Sequence, residues 1–358
     1  MADGIRRALP PVSRAAGRRG RPTLEQVAAR AGVGRGTVSR VINGSQQVSV
    51  EAKAAVERAI AELGYVPNRT ARALAAGSTD AIALVIPEPE TRLFSEPYFS
   101  DMIHGISAAI LDADKQLLLT LSRTAKERTR LAGYLSGNRV DGVLLISVHQ
   151  DDKLPDQLTE QGIPAVISGR RSQDEQLPFV DTDNVGGGRA AVEHLIARGR
   201  RDIAAISGRP DVFGAQCRIE GYRQALKAAG LPAEPSLVVP GDFTEESGRR
   251  AMRELLARRP TLDAVFAGSD LMAAGALQVL RGSGRRVPED VALIGFDDSP
   301  VARHTDPPLT SVRQPTEAMG REMVRVLLAE IERAGASGAG GEVPRSLLPT
   351  ELVVRASA

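Results

Sequence analysis

Between residues 23 and 63 the apolar positions recur at intervals of three and four, the spacing of helices that bury one face. Leu24, Val27, Ala28 and Ala31 form the first such face; Thr23 with Gln26 three residues on predicts a capping box at its start, and Gly32 breaks it. A second short helix is predicted from about Arg35 to Ile42, with Val38, Val41 and Ile42 inward and Arg35, Gly36, Ser39 and Arg40 outward. A third opens at Ser49, carries Ala52, Ala55, Val56, Ala59, Ile60 and Leu63 on one side, and ends at Gly64. Such a trio is either a plain three-helix bundle or a helix-turn-helix whose second helix fits a DNA major groove.

Beyond Gly77 the pattern changes to short apolar runs alternating with amphipathic stretches. Strands are expected at 81–86, 117–121, 142–147 and 165–168, with helices at 101–113, 125–136 and 152–161 between them. A second series begins near Asp183, with helices at 187–197, 215–229, 247–258 and 271–280 and strands at 203–207, 237–239, 264–267 and 291–296. Residues 309–312, 316–333 and 347–354 remain over as two apolar runs and a helix. This β-α alternation predicts an α/β region of two doubly wound parallel sheets in tandem, behind an all-α N-terminal piece.

Charge sharpens the division. Residues 1–78 hold 13 Lys and Arg against 5 Asp and Glu, whereas the remainder holds 33 against 39, so only the front of the chain has the electrostatics to meet a polyphosphate. Residues 1–22, rich in Arg, Ala, Pro and Gly, read as a disordered basic tail that adds non-specific phosphate affinity. The lone Cys217 excludes an intramolecular disulfide framework, no apolar stretch is long enough for a membrane span, and no apolar run of signal-peptide type follows the first arginines. A cytoplasmic location is expected. Four scattered histidines and the run Gly186-Gly187-Gly188 supply neither metal-ligand spacing nor a phosphate loop, so no metal, no cofactor and no catalytic residue is expected.

In doubly wound sheets ligands bind outside the carboxyl ends of the strands. Residues placed there are Arg218, Phe243, Asp270 and Asp297 in the second series, and Tyr98 and Phe99 after the first strand of the first series. One cation, two carboxylates and aromatic faces suit a polar, ring-shaped ligand. The same residues are open to a structural reading, with Asp270 capping its helix and Asp297-Asp298 starting a turn.

Thr23-Leu24-Glu25-Gln26-Val27-Ala28, Thr37-Val38-Ser39-Arg40-Val41-Ile42-Asn43 and Gly64-Tyr65-Val66-Pro67-Asn68 resemble the headpiece of the LacI/GalR family of bacterial repressors. The stretches 218–222, 267–273, 293–298 and 307–315 resemble motifs of the same family, and the likeness runs from Thr23 to about Arg355. The resemblance implies that the second helix reads the major groove, and that Thr23, Arg35, Gly36, Thr37, Ser39, Arg40 and Asn43 face DNA. It implies a hinge helix over 68–78, with Asn68 and Arg69 at DNA and Leu74 wedged into the minor groove. It implies that Arg218, Asp270 and Asp297 bind a small effector, usually a sugar. Gly34 departs from the family, which usually places a capping Ser there.

The domains implied are a helix-turn-helix unit at 23–67, the hinge at 68–78, and an effector-binding and dimerisation domain at 79–358. Within the last, one lobe is expected from 79–181 and 309–333, the other from 182–308 and 342–358. The expected function is a homodimeric transcriptional repressor on a pseudo-palindromic operator, with affinity set by a sugar effector. Alternatives are a repressor answering to a nucleobase, nucleoside or phosphorylated metabolite, or a two-lobed solute-binding protein.

Overall fold

The computed structural model describes residues 22–42, 45, 47–66, 78–137, 139–335 and 343–358. The expectations for the basic tail up to residue 21, for residue 67 at the end of the helix-turn-helix unit, for hinge residues 68–77, and for Asn43, Asn68, Arg69 and Leu74 lie outside the described residues. The chain divides into two units, Met1–Gly77 and Ser78–Ala358.

Local signals shape the first unit. Helix α1 (Leu24–Ala31) opens with the Thr23–Gln26 capping box, both reciprocal hydrogen bonds being made, and closes on Gly32 in the left-handed conformation. Helix α2 (Arg35–Ile42) buries Val38, and α3 (Val50–Leu63) starts at the Ser49 cap and stops at Gly64. Val27, Ala28, Val38, Val56, Ala59 and Tyr65 make the shared core.

The second unit contains, among the described residues, two six-stranded sheets, each covered on both faces by helices. In the first the order is β11-β5-β4-β3-β1-β2, all parallel: β1 is Ala81–Ile86, β2 Gln116–Leu121, β3 Gly142–Leu145, β4 Ala165–Ser168, β5 Phe179–Thr182 and β11 Arg345–Leu348. In the second the order is β12-β10-β9-β8-β6-β7, with β6 Ile203–Ser207, β7 Val238–Pro240, β8 Ala264–Ala267, β9 Ala292–Asp297, β10 Thr310–Arg313 and β12 Glu351–Val353. Strand β12 alone runs antiparallel there.

These pairings correct the expected lobe boundaries. Residues 310–313, expected in the first lobe, pair with β9 in the second, while the helix Thr316–Gly335 does pack on the first. The run near 347–354 is two strands, not one. Pro349-Thr350 divides it, so that β11 pairs with β5 in the first lobe and β12 with β10 in the second. Strand β5 itself was not expected, because the charge of Asp181 interrupts its apolar character. Among the described residues the backbone therefore crosses between lobes after β5, after β10 and after β11.

The triple glycine has a packing role. It lies in the helix Asn184–Ala197, which meets the helix Phe213–Ala228; a Cβ on Gly188 would strike the Arg218 carbonyl, and one on Gly221 would strike Val185. The backbones approach closely there because neither side chain intervenes, which brings Arg218 to the lobe boundary.

Candidate functional site

A cleft with about 900 Å³ of free space, counted to its open mouth, lies between the carboxyl ends of the strands of the two lobes. Its walls include Tyr98, Phe99, Arg218, Phe243 and Asp297. The structure thus brings together five of the six residues expected at a ligand site.

Arg218 enters from the second turn of its helix. Its guanidinium lies 3.8 Å from the Phe296 ring centroid, donates to the Asn184 side chain at 2.9 Å and to the Gly268 carbonyl at 2.5 Å, and stands 3.7 Å from Asp297. Asp297 ends β9 with a φ of 108°, a conformation that side-chain-bearing residues rarely adopt. Gln314 holds it there, donating from Nε2 to the carboxylate at 2.7 Å, while the Gln314 carbonyl accepts from the Thr182 hydroxyl at 2.9 Å. These bonds join the first two crossings beneath the ligand space. Burial pushes the Asp297 carboxyl upward from its ordinary range, opposed by the Arg218 charge.

Asp270 is the exception. Its carboxylate is sealed below the cleft, accepting from the Ser299 amide at 2.7 Å and the Ser311 hydroxyl at 2.6 Å, and it leaves Ser269 and Leu271 to face the ligand space. The expectation that Asp270 touches the effector is corrected: both oxygens serve to fasten the turn after β9 to β10. The expected capping role is also filled otherwise, since the Ser269 hydroxyl accepts from the Met272 amide.

On the first lobe the Tyr98 hydroxyl lies 3.0 Å from Ser168 Oγ, and the Tyr98 ring meets Phe99 edge-on at 5.4 Å. Phe99 is almost wholly buried, so it forms floor more than wall. Phe243 has a φ of 70° and receives the Arg92 guanidinium 5.2 Å from its centroid, a contact from one lobe to the other.

Sequence reasoning missed the charged half of this first lobe. Arg92 bridges Glu88 and Glu96, each at 2.5 Å, from a short helix Glu90–Ser95 that the pattern did not predict. Arg170, just past β4, pairs with Asp181 at 2.9 Å and lies 5.2 Å from the Phe213 ring of the second lobe. The strand-end rule would have found Glu88, Ser147 and Arg170 had it been applied to β1, β3 and β4. Burial outweighs the Arg92 charge at Glu96 and lifts its carboxyl to about 7. Among the described residues no group of three or more His, Cys, Asp or Glu is arranged to hold a metal, and no helix is long and apolar enough to cross a membrane.

In the first unit Arg35, Gly36 and Arg40 are exposed on α2, with Thr37 and Ser39 half-buried beside them; Arg35 pairs with Glu25 at 3.1 Å. Thr23 is engaged as the α1 cap.

Residues 23–68 match the model of the bacterial regulatory proteins, lacI family, and residues 192–358 that of a periplasmic binding protein-like domain. The HTH-type transcriptional regulator CelR of Thermobifida fusca is 55% identical over 342 residues, 95% of this chain and 99% of that protein. A transcriptional regulator CelR–cellobiose complex superposes with a TM-score of 0.74 at 53% identity, covering 94% of this chain and all 100% of that one. The lac repressor dimer bound to operator and the anti-inducer ONPF gives a TM-score of 0.82 at 27% identity, covering 94% and 99%.

Proposed function

The chain belongs to the lacI family of bacterial regulatory proteins, and from that premise we propose that its cleft takes an uncharged sugar, with the disaccharide cellobiose as first candidate. As a family member it is a DNA-binding transcriptional regulator; the acting sequence is operator DNA, and its place of work is the cytoplasm.

One observation carries the sugar reading. Among the described residues lining the cleft, each arginine already has a carboxylate beside it: Arg92 has Glu96, Arg170 has Asp181 and Arg218 has Asp297. A phosphorylated ligand would need a cation to spare. A sugar needs what these pairs keep available, charged hydrogen-bonding groups held in place, with Tyr98 and Phe243 as apolar ring faces. The similarity to the cellobiose complex supports the same reading.

Ligand held by both lobes stabilises their closed arrangement, and the strands crossing between them carry that change. On this reading Arg35, Gly36 and Arg40 of α2 meet base edges, Thr23, Thr37 and Ser39 meet the backbone, and an arginine there selects a G·C pair. Asn43, Asn68, Arg69 and Leu74 are assigned to DNA by the family resemblance alone. The test joins a thermal-shift screen to an operator-shift assay. Cellobiose should raise the melting temperature and alter operator affinity, whereas a response to sugar phosphates or nucleosides instead would overturn the assignment.

A further inference from the structure

His149 follows β3 in the first lobe, and Asp211 follows β6 in the second. The imidazole lies between two carboxylates: Nε2 is 2.9 Å from Glu88 Oε1 and Nδ1 is 2.9 Å from Asp211 Oδ2. A neutral ring has one N–H and would turn a lone pair toward one of those oxygens; an imidazolium donates to both. The backbone joins in, with the Gln150 amide donating to the Asp211 carbonyl at 3.1 Å.

The two carboxylates that flank the ring have further partners of their own. Glu88, from the loop after β1, also accepts from Arg92 and from the Ser147 hydroxyl at 2.6 Å. Asp211 also accepts two bonds from Arg209 of its own loop, at 3.0 and 2.7 Å. The chain of contacts Glu96–Arg92–Glu88–His149–Asp211 therefore runs from the ligand space to the opposite lobe.

We infer that His149 is an interlobe latch: as an imidazolium it ties Glu88 of one lobe to Asp211 of the other and so strengthens effector binding. It is a positioning residue, acting on the ligand through Arg92 and Glu96. The inference rests on reading the cleft as an effector site that closes.

Supporting it, the hydrogen bond to Glu88 raises the His149 pKa, with Asp211 adding to it and burial and Arg209 opposing. Glu88 is held at about 2 by His149 and Arg92 against the upward pull of burial, and Asp211 at about 2 chiefly by Arg209, so both acceptors are ionised near neutrality. A ring whose pKa is higher in the closed form takes up a proton on closing. The latch is then complete below the open-form pKa and is lost as pH rises through the closed-form value.

The test follows the ring nitrogens of the full-length chain by NMR, with His149 assigned through His149→Gln. The latch predicts that His149 keeps both N–H groups above the pH at which an ordinary imidazole loses one, and that Asp211→Asn lowers that titration. Identical titration in wild type and Asp211→Asn would overturn it. Calorimetry with cellobiose should show affinity falling as pH rises through the His149 titration, and a shallower fall in His149→Gln. Cellobiose binding that ignores pH in the wild type would also overturn the latch. Should cellobiose fail to bind at any pH, the sugar reading falls, and the ring titration decides the latch by itself.

Discussion

Arg218 and Asp297 face one another at 3.7 Å on the floor of the cleft, a separation beyond direct hydrogen-bonding length. Each is anchored by another partner, Asn184 for the arginine and Gln314 for the aspartate, and so the pair is held apart with bonding capacity toward the ligand space. A hydroxyl seated between them would satisfy both.

Asp297→Asn should therefore weaken effector binding by about 1.5–3 kcal/mol, the range for a hydrogen bond to a charged group, and leave operator binding by the unliganded protein intact. Calorimetry with cellobiose alongside an operator-shift assay measures both; full effector affinity in the variant would remove Asp297 from the site.

Asp270→Asn should behave differently. Its carboxylate is sealed from the cleft and fastens Ser299 to Ser311. Effector affinity should stay within a few-fold of wild type, whereas Asp270→Ala, which leaves the amide and hydroxyl without their acceptor, should cost about 1–3 kcal/mol of stability. Denaturant melts of both variants check this.

Glu96 gives a pH signature. Its folded pKa of about 7 lies above the ordinary 4.5, so the folded state binds the extra proton and stability falls as pH rises from about 4.5 to about 7. Asp270, Asp297 and His149 are raised too and act with the same sign. Glu96→Gln should make the decline shallower without abolishing it, as read from melting temperatures across that window.

Gly36 is exposed on α2, and a Cβ there would meet only the tip of Arg40, at 3.9 Å, among the described residues. Among the described residues, nothing in the folding of the first unit calls for glycine at this position. Gly36→Ala should stabilise that helix by about 0.5–1 kcal/mol, while a loss of operator affinity would mark a close approach of backbone to DNA. Unchanged affinity would show that the position stands clear of the duplex.

Arg40→Ala should broaden operator preference and spare effector affinity, because a bidentate arginine–guanine contact contributes about 1–3 kcal/mol of discrimination. Selection from random duplexes, compared between variant and wild type, reads this out.

What the sequence determined by itself is whatever acts over a few residues. The Thr23–Gln26 capping box, the left-handed stops at Gly32 and Gly64, the α2 face built on Val38, and most strands and helices of both lobes follow from local spacing and turn chemistry. The charge contrast between the two ends of the chain needs no structure at all.

Tertiary structure decided what depends on distant partners. Phe179–Thr182 becomes a strand because β4 and β11 flank it, and the last apolar run divides because each half has a different sheet to join. Asp270 faces inward because Ser299 and Ser311 need its oxygens, and His149 meets Asp211 across 62 residues of sequence. A side chain's hydrogen bonds are chosen by what the fold brings within about 3 Å of it, and no periodicity along the chain carries that information.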